Sequence, residues 1–125
     1  MSLTELVTSV IADGKVDASE VSALRAEIYA DGKVEREEVD AVFTINDAVS
    51  DSENDPSWDE LFSDVIADHF TADGVIDEEE ANYLIGKLMA DGGVDKAEKL
   101  ALTKIRQKAT SIFPAFDAAM ASVGV

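Results

Sequence analysis

The sequence contains no cysteine, which excludes disulfides, thiolate chemistry and cysteine-based zinc sites. Positive charge is scarce as well: 10 Lys and Arg stand against 27 Asp and Glu, a formal net charge of −17. A nucleic-acid binder working through a basic footprint is thereby excluded, because phosphates would be repelled, and docking on anionic lipid is disfavoured. No apolar run approaches the roughly 20 residues that a membrane span needs. The opening residues Met1-Ser2-Leu3-Thr4-Glu5-Leu6 lack the basic stretch and apolar segment of a signal peptide, so a cytoplasmic protein without membrane insertion is expected. Only one histidine, His69, is available for a Ser-His-acid triad, and it reads as a surface or helix-end residue. There is no phosphate-cradling glycine loop. Among so many acids no carboxylate pair stands out as general acid and base, and the chain is read as a non-enzyme.

What is present is enough apolar material to fold. Hydrophobic residues make up 46% of the 125, far more than a disordered acidic tail carries, and the length suits one domain spanning 1–125. Ala-Asp-Gly recurs at 12–14, 30–32, 72–74 and 90–92. The four copies continue alike: Asp13-Gly14-x-Val16-Asp17-x-x-Glu20, Asp31-Gly32-x-Val34-Glu35-x-x-Glu38, Asp73-Gly74-x-Ile76-Asp77-x-x-Glu80 and Asp91-Gly92-x-Val94-Asp95-x-x-Glu98. Within each pair the aspartates are 18 residues apart, and the pairs are related by an offset of 60, which indicates a duplication of about 2–49 on 62–109.

Apolar spacing between the motifs is helical. Leu3, Leu6, Val7, Val10 and Ile11 form one stripe, Val21, Leu24 and Ile28 a second, and Val39, Val42, Phe43 and Val49 a third. Trp58, Leu61, Phe62, Val65 and Ile66 form the fourth, with Trp58 expected in the core rather than in a cleft. Ala81, Leu84, Ile85 and Leu88 give a fifth, and Ala97, Ala101, Leu102, Ile105 and Ala109 a sixth. A seventh helix is predicted over about 112–122, with Pro114 in its first turn and Phe113, Phe116, Met120 and Val123 as a stripe that lids the bundle or, alternatively, meets a partner. The polar linker 50–57 joins the repeats, with Ser57 and Glu60 reading as the capping box of the fourth helix. The predicted fold is all-α: a single compact bundle of about seven helices, built from two three-helix repeats plus a C-terminal helix.

The motif matches the second half of an EF-hand calcium loop, with Gly14 sixth, Val16 eighth, Asp17 ninth and Glu20 twelfth. The first and third ligand positions, however, hold Ser9 and Ile11, Glu27 and Tyr29, His69 and Thr71, and Lys87 and Met89. Isoleucine, tyrosine and methionine offer no hard oxygen, so a seven-coordinate site is not expected. Helix capping explains most of the motif: Gly14 as a left-handed helix end, Asp17 as N-cap, Glu20 at the third position and Val16 stapled onto Val21. Capping does not explain the first aspartate, which opposes the helix dipole. It forms either an Asx turn or part of an oxygen cluster for a divalent cation, calcium or magnesium. The candidate ligands are Asp13, Asp17, Glu20, Asp31, Glu35, Glu38, Asp73, Asp77, Glu80, Asp91, Asp95 and Glu98; capping alone is the preferred reading, and no other cofactor is expected.

Repeated Ala-Asp-Gly-x-Val-Asp-x-x-Glu on paired helices, duplicated within one all-α chain, resembles the TerB-like (tellurite-resistance) superfamily of bacteria over about residues 3–109. The resemblance implies a helical domain with acidic clusters and a protein-binding role in stress or metal response. The favoured function is thus a non-enzymatic acidic interaction or scaffold module, responsive to divalent cations at these turns. The alternative is a polyanion mimic that occupies the basic groove of a nucleic-acid-binding protein. Charge is uneven, net −12 over residues 1–60 and −5 over 61–125. Lys96, Lys99, Lys104, Arg106 and Lys108 gather on the sixth helix, where they balance neighbouring acids or, alternatively, offer a docking face.

Overall fold

The computed structural model describes residues 2–30, 32, 34–49, 54–88 and 95–125. These form an all-α fold of α1 (Leu3–Asp13), α2 (Ala18–Ile28), α3 (Arg36–Val49), α4 (Pro56–Phe70), α5 (Glu78–Leu88), α6 (Lys96–Lys108) and α7 (Pro114–Ser122). The helix ends are set by short polar residues. Ser2 and Glu5 exchange backbone hydrogen bonds to open α1, and Gly14 closes it at φ +81°, its N–H donating to the Val10 and Ile11 carbonyls.

The start of α4 corrects the expectation. Asp55, not Ser57, is the N-cap: its carboxylate accepts from the Ser57 N–H at 3.0 Å, and Pro56 occupies the first helical position. Proline has no N–H to cap and a fixed φ suited to this place, so the helix begins one residue before the expected serine. The seventh helix likewise starts at Pro114 rather than near 112.

Ser111–Ile112 is instead a two-residue strand, β2, paired in parallel with β1 (Val75–Ile76). The pattern of the sequence did not foretell this. The Phe113 N–H donates to the Ile76 carbonyl at 2.9 Å. In the first half the same work falls to a side chain and a backbone group: Asn54 Oδ1 accepts from the Val16 N–H, and the Asp55 N–H donates to the Val16 carbonyl, both at 2.9 Å. In both places the motif's apolar residue, buried, is tied to the segment that enters a proline-started helix.

α4 runs through the centre. Trp58, Leu61, Phe62, Val65, Ile66, Ala67 and Phe70 are all fully buried, against α2, α3 and above all α6. α7 packs on α5 and buries Phe116 and Met120 completely, as a covering helix should. Of the first stripe only Leu6 and Val10 are buried; Leu3 and Val7 are half-covered and Ile11 is 38% exposed. Among the described residues no helix is long and apolar enough to cross a membrane.

Phe116→Ala removes a large, fully buried side chain and is expected to cost about 3–5 kcal/mol. Urea unfolding measures this; a cost below about 1 kcal/mol, the scale of a surface substitution, would show that α7 does not close the core.

Candidate functional site

The turn from α1 to α2 carries the first motif. Asp17 is the N-cap of α2, in extended backbone, and its Oδ1 accepts from the Glu20 N–H at 2.8 Å and from the Ser19 hydroxyl at 3.0 Å. Glu20 returns the bond, its Oε1 accepting from the Asp17 N–H at 3.0 Å. Capping therefore occupies these two acids, as expected. Asp13 is the last residue of α1 and takes no part in the box. Even so, carboxylate oxygens of Asp13, Asp17 and Glu20 lie within 4.8 Å of one another, and no other such group occurs among the described residues. Oxygens on opposite sides of one calcium ion are about 4.6–5.2 Å apart, so the spacing suits a single cation.

Electrostatics separate the members. Hydrogen bonds from the Glu20 N–H and the Ser19 hydroxyl hold Asp17 below its ordinary value. Burial pushes Glu20 up, and the charges of Asp17 and Asp13 push the same way, against the bond from the Asp17 N–H. Protons or a cation would relieve this crowding of like charge.

The other copies differ. In the third, Asp77 and Glu80 exchange the capping bonds at 2.9 and 3.2 Å, but Asp73 lies beyond the end of α4 and its Oδ1 accepts from the Val75 N–H at 3.0 Å. That is the Asx turn, and these three acids do not gather as closely as the first three, although burial and the charges of Asp77 and Asp73 push Glu80 up as well. In the second copy Asp31 lies outside the described residues. Glu35 receives half a box, its N–H donating to Glu38 Oε1 at 2.8 Å. In the fourth, Asp91 lies outside the described residues, while Asp95 and Glu98 form a full box. Asp95 is also committed to the interior: its Oδ2 accepts from Asn46 Nδ2 at 2.9 Å, and Asn46 Oδ1 accepts from Trp58 Nε1 at 3.1 Å. Asn46 is 3% exposed. This relay from a core indole to a helix cap carries no sequence signal, since an asparagine inside an apolar stripe looks like a break in it.

The EF-hand register fails for a structural reason too. Ser9 and Ile11 are helical residues of α1, Glu27 of α2, His69 of α4 and Lys87 of α5, so no twelve-residue loop exists at any copy. His69 sits near the end of α4 with its Nδ1 2.8 Å from the Val34 carbonyl, which fixes the proton on Nδ1 when the ring is neutral.

The cations of α6 are largely spent internally. Lys104 reaches Asp64 at 2.7 Å and Glu60 at 2.8 Å, Lys108 reaches Asp68 at 2.6 Å, and Lys96 lies 3.7 Å from Asp59. Arg106 pairs with Asp117 of α7 at 2.7 Å. Burial alone would lower Lys104, but the hydrogen bonds it donates to Asp64 and Glu60, with their charges, outweigh it and raise its pKa. Of the two readings of this helix, the structure supports balance with neighbouring acids rather than a docking face.

Asn46→Ala would leave the Trp58 indole N–H and an Asp95 oxygen without their partner, at an expected cost of about 1–3 kcal/mol in urea unfolding. Asp13→Asn, which touches no cap, is expected to keep or raise the melting temperature in metal-free buffer, whereas Asp17→Ala lowers it. Equal losses from both would mean that Asp13 is a structural residue.

Comparison with family models, curated proteins and solved structures returns no match, so the TerB-like resemblance rests on the motif itself.

Proposed function

We propose that this chain is a non-enzymatic, cytoplasmic interaction module of TerB-like kind, which meets a protein partner through its acidic face and responds to a divalent cation at the α1–α2 turn. The observation that carries the reading is the division of charge. Basic side chains of α2, α6 and the acids of α4 neutralise one another. Glu5, Asp13, Glu20, Glu27, Glu37 and Asp47, by contrast, have no ion-pair partner among the described residues, and neither do Asp73, Asp77, Glu78, Glu79 and Glu80. An acidic surface held on a rigid scaffold favours basic partners through steering and complementarity. Asp13, Asp17 and Glu20 supply the oxygens for calcium or magnesium, with water completing the shell.

The same face would serve the alternative, a polyanion mimic. Against it, the carboxylates are tied into helix caps at turns rather than spaced along one extended row.

Calorimetry with calcium and with magnesium tests the cation reading. Binding heat and a rise in melting temperature are expected, both lost in Asp13→Asn/Glu20→Gln. The absence of both at millimolar metal would contradict it. Because Glu20 sits above its ordinary 4.5 and must be ionised to bind, affinity is expected to fall on acidification sooner than for an unperturbed glutamate.

A further inference from the structure

The offset of 60 that relates the two halves lets each seam between helices be compared with its counterpart. In the second half, Ser63 and Ala67 of α4 and Ala97 and Ala101 of α6 are buried, and these small side chains let the two helices close together. α2 then lies across the outer edge of α4, with Arg25 3.2 Å from Asp64 and the Tyr29 hydroxyl 2.6 Å from Asp68.

The corresponding seam of the first half is open. Leu3 and Val7 stand where Ser63 and Ala67 stand, and Glu37 and Ala41 where Ala97 and Ala101 stand. With these larger side chains between α1 and α3 lies a trough of about 210 Å³, with Leu3, Val7 and Ala41 half-covered along it. Thr4 and Thr8, at the positions of Asp64 and Asp68, are exposed on its edge, and among the described residues no helix packs across them as α2 packs across α4. A second hollow of about 240 Å³ adjoins it, sharing Leu3 and Glu37 and ringed by Glu27, Glu35 and Glu38. Among the described residues no basic side chain lines either hollow.

We propose that this trough is a docking site for a cationic amphipathic helix of a partner protein, laid on α1 as α2 is laid on α4. Apolar side chains at helical spacing rest on Leu3, Val7 and Ala41, and Lys or Arg at one end meets the glutamates. Charge selects this occupant. A second copy of the chain would bring another −17, and its basic helix α6 is already largely paired with its own carboxylates. The proposal rests on the reading of the chain as an interaction module and names the chemistry of its partner.

The test uses the full-length chain, labelled with ¹⁵N, and a synthetic Leu/Lys helix with leucines at i, i+3, i+4 and i+7. Amide shifts are expected at Leu3–Thr8 and Glu37–Ala41. Because any polycation is drawn to so acidic a protein, two matched variants are compared by calorimetry at physiological ionic strength. Glu27→Gln/Glu37→Gln is expected to weaken binding by about tenfold, and Glu78→Gln/Glu79→Gln, at the start of α5, by less than about twofold. Ala41→Lys, with unchanged circular dichroism, is expected to abolish it. Equal weakening by the two pairs, equal binding of a scrambled peptide, shifts confined to another face, or no binding would each overturn the trough. The cation response of the α1–α2 turn is judged separately, by the metal titration, and does not fall with it.

Discussion

At the described turns after Asp13-Gly14 and Asp73-Gly74 the chain passes between two helices, and the second helix opens on an acid and a glutamate three residues later that exchange hydrogen bonds with each other's backbone. Without that exchange the first amides of the following helix would point at no acceptor. The reciprocal bonds of Asp17 with Glu20, Asp77 with Glu80 and Asp95 with Glu98 share one pattern, and the Glu35–Glu38 pair keeps half of it. There the Glu38 N–H donates to the Glu35 carbonyl at 3.0 Å. The strong acidity of the chain is therefore in part structural: fifteen of its 27 acids lie within the four motif stretches 13–21, 31–39, 73–81 and 91–99.

Capping also sorts the candidate ligands. An oxygen that already accepts one or two backbone or hydroxyl bonds is held in place, which preorganises it for a cation but leaves it fewer lone pairs. Asp95 is drawn inward by Asn46 and Asp73 is turned onto its own loop. At the α1–α2 turn Asp13 remains outside the cap and converges on the two capping acids. A motif repeated four times thus need not be a function repeated four times. Of the two turns whose three acids are all described, the first is the one whose carboxylates meet.

The fold was legible because its signals are local. Periodic stripes placed the helices, glycine at a left-handed position closed α1, and Asp17 with Glu20 opened α2. The misplaced start of α4 came from two competing caps close together, Asp55 and Ser57, which only the proline between them resolves. The β1–β2 pair was invisible because two residues carry no period, and its partners are 36 residues apart. The candidate site was half legible: spacing named the acids, but whether their carboxylates converge depends on where α4 ends and on what Asn46 reaches. The open seam beside α1 was hidden altogether, since it arises from side-chain size at two facing helices, Leu3 and Val7 against Ser63 and Ala67.

We propose that one turn, and not the motif as such, carries the cation response. Amide chemical shifts of the full-length chain recorded during a calcium titration test it most directly. Saturable changes concentrated at Asp13–Glu20, with Asp73–Glu80 left unmoved, are the result the account predicts. Equal changes at both turns, or none at either, would contradict it.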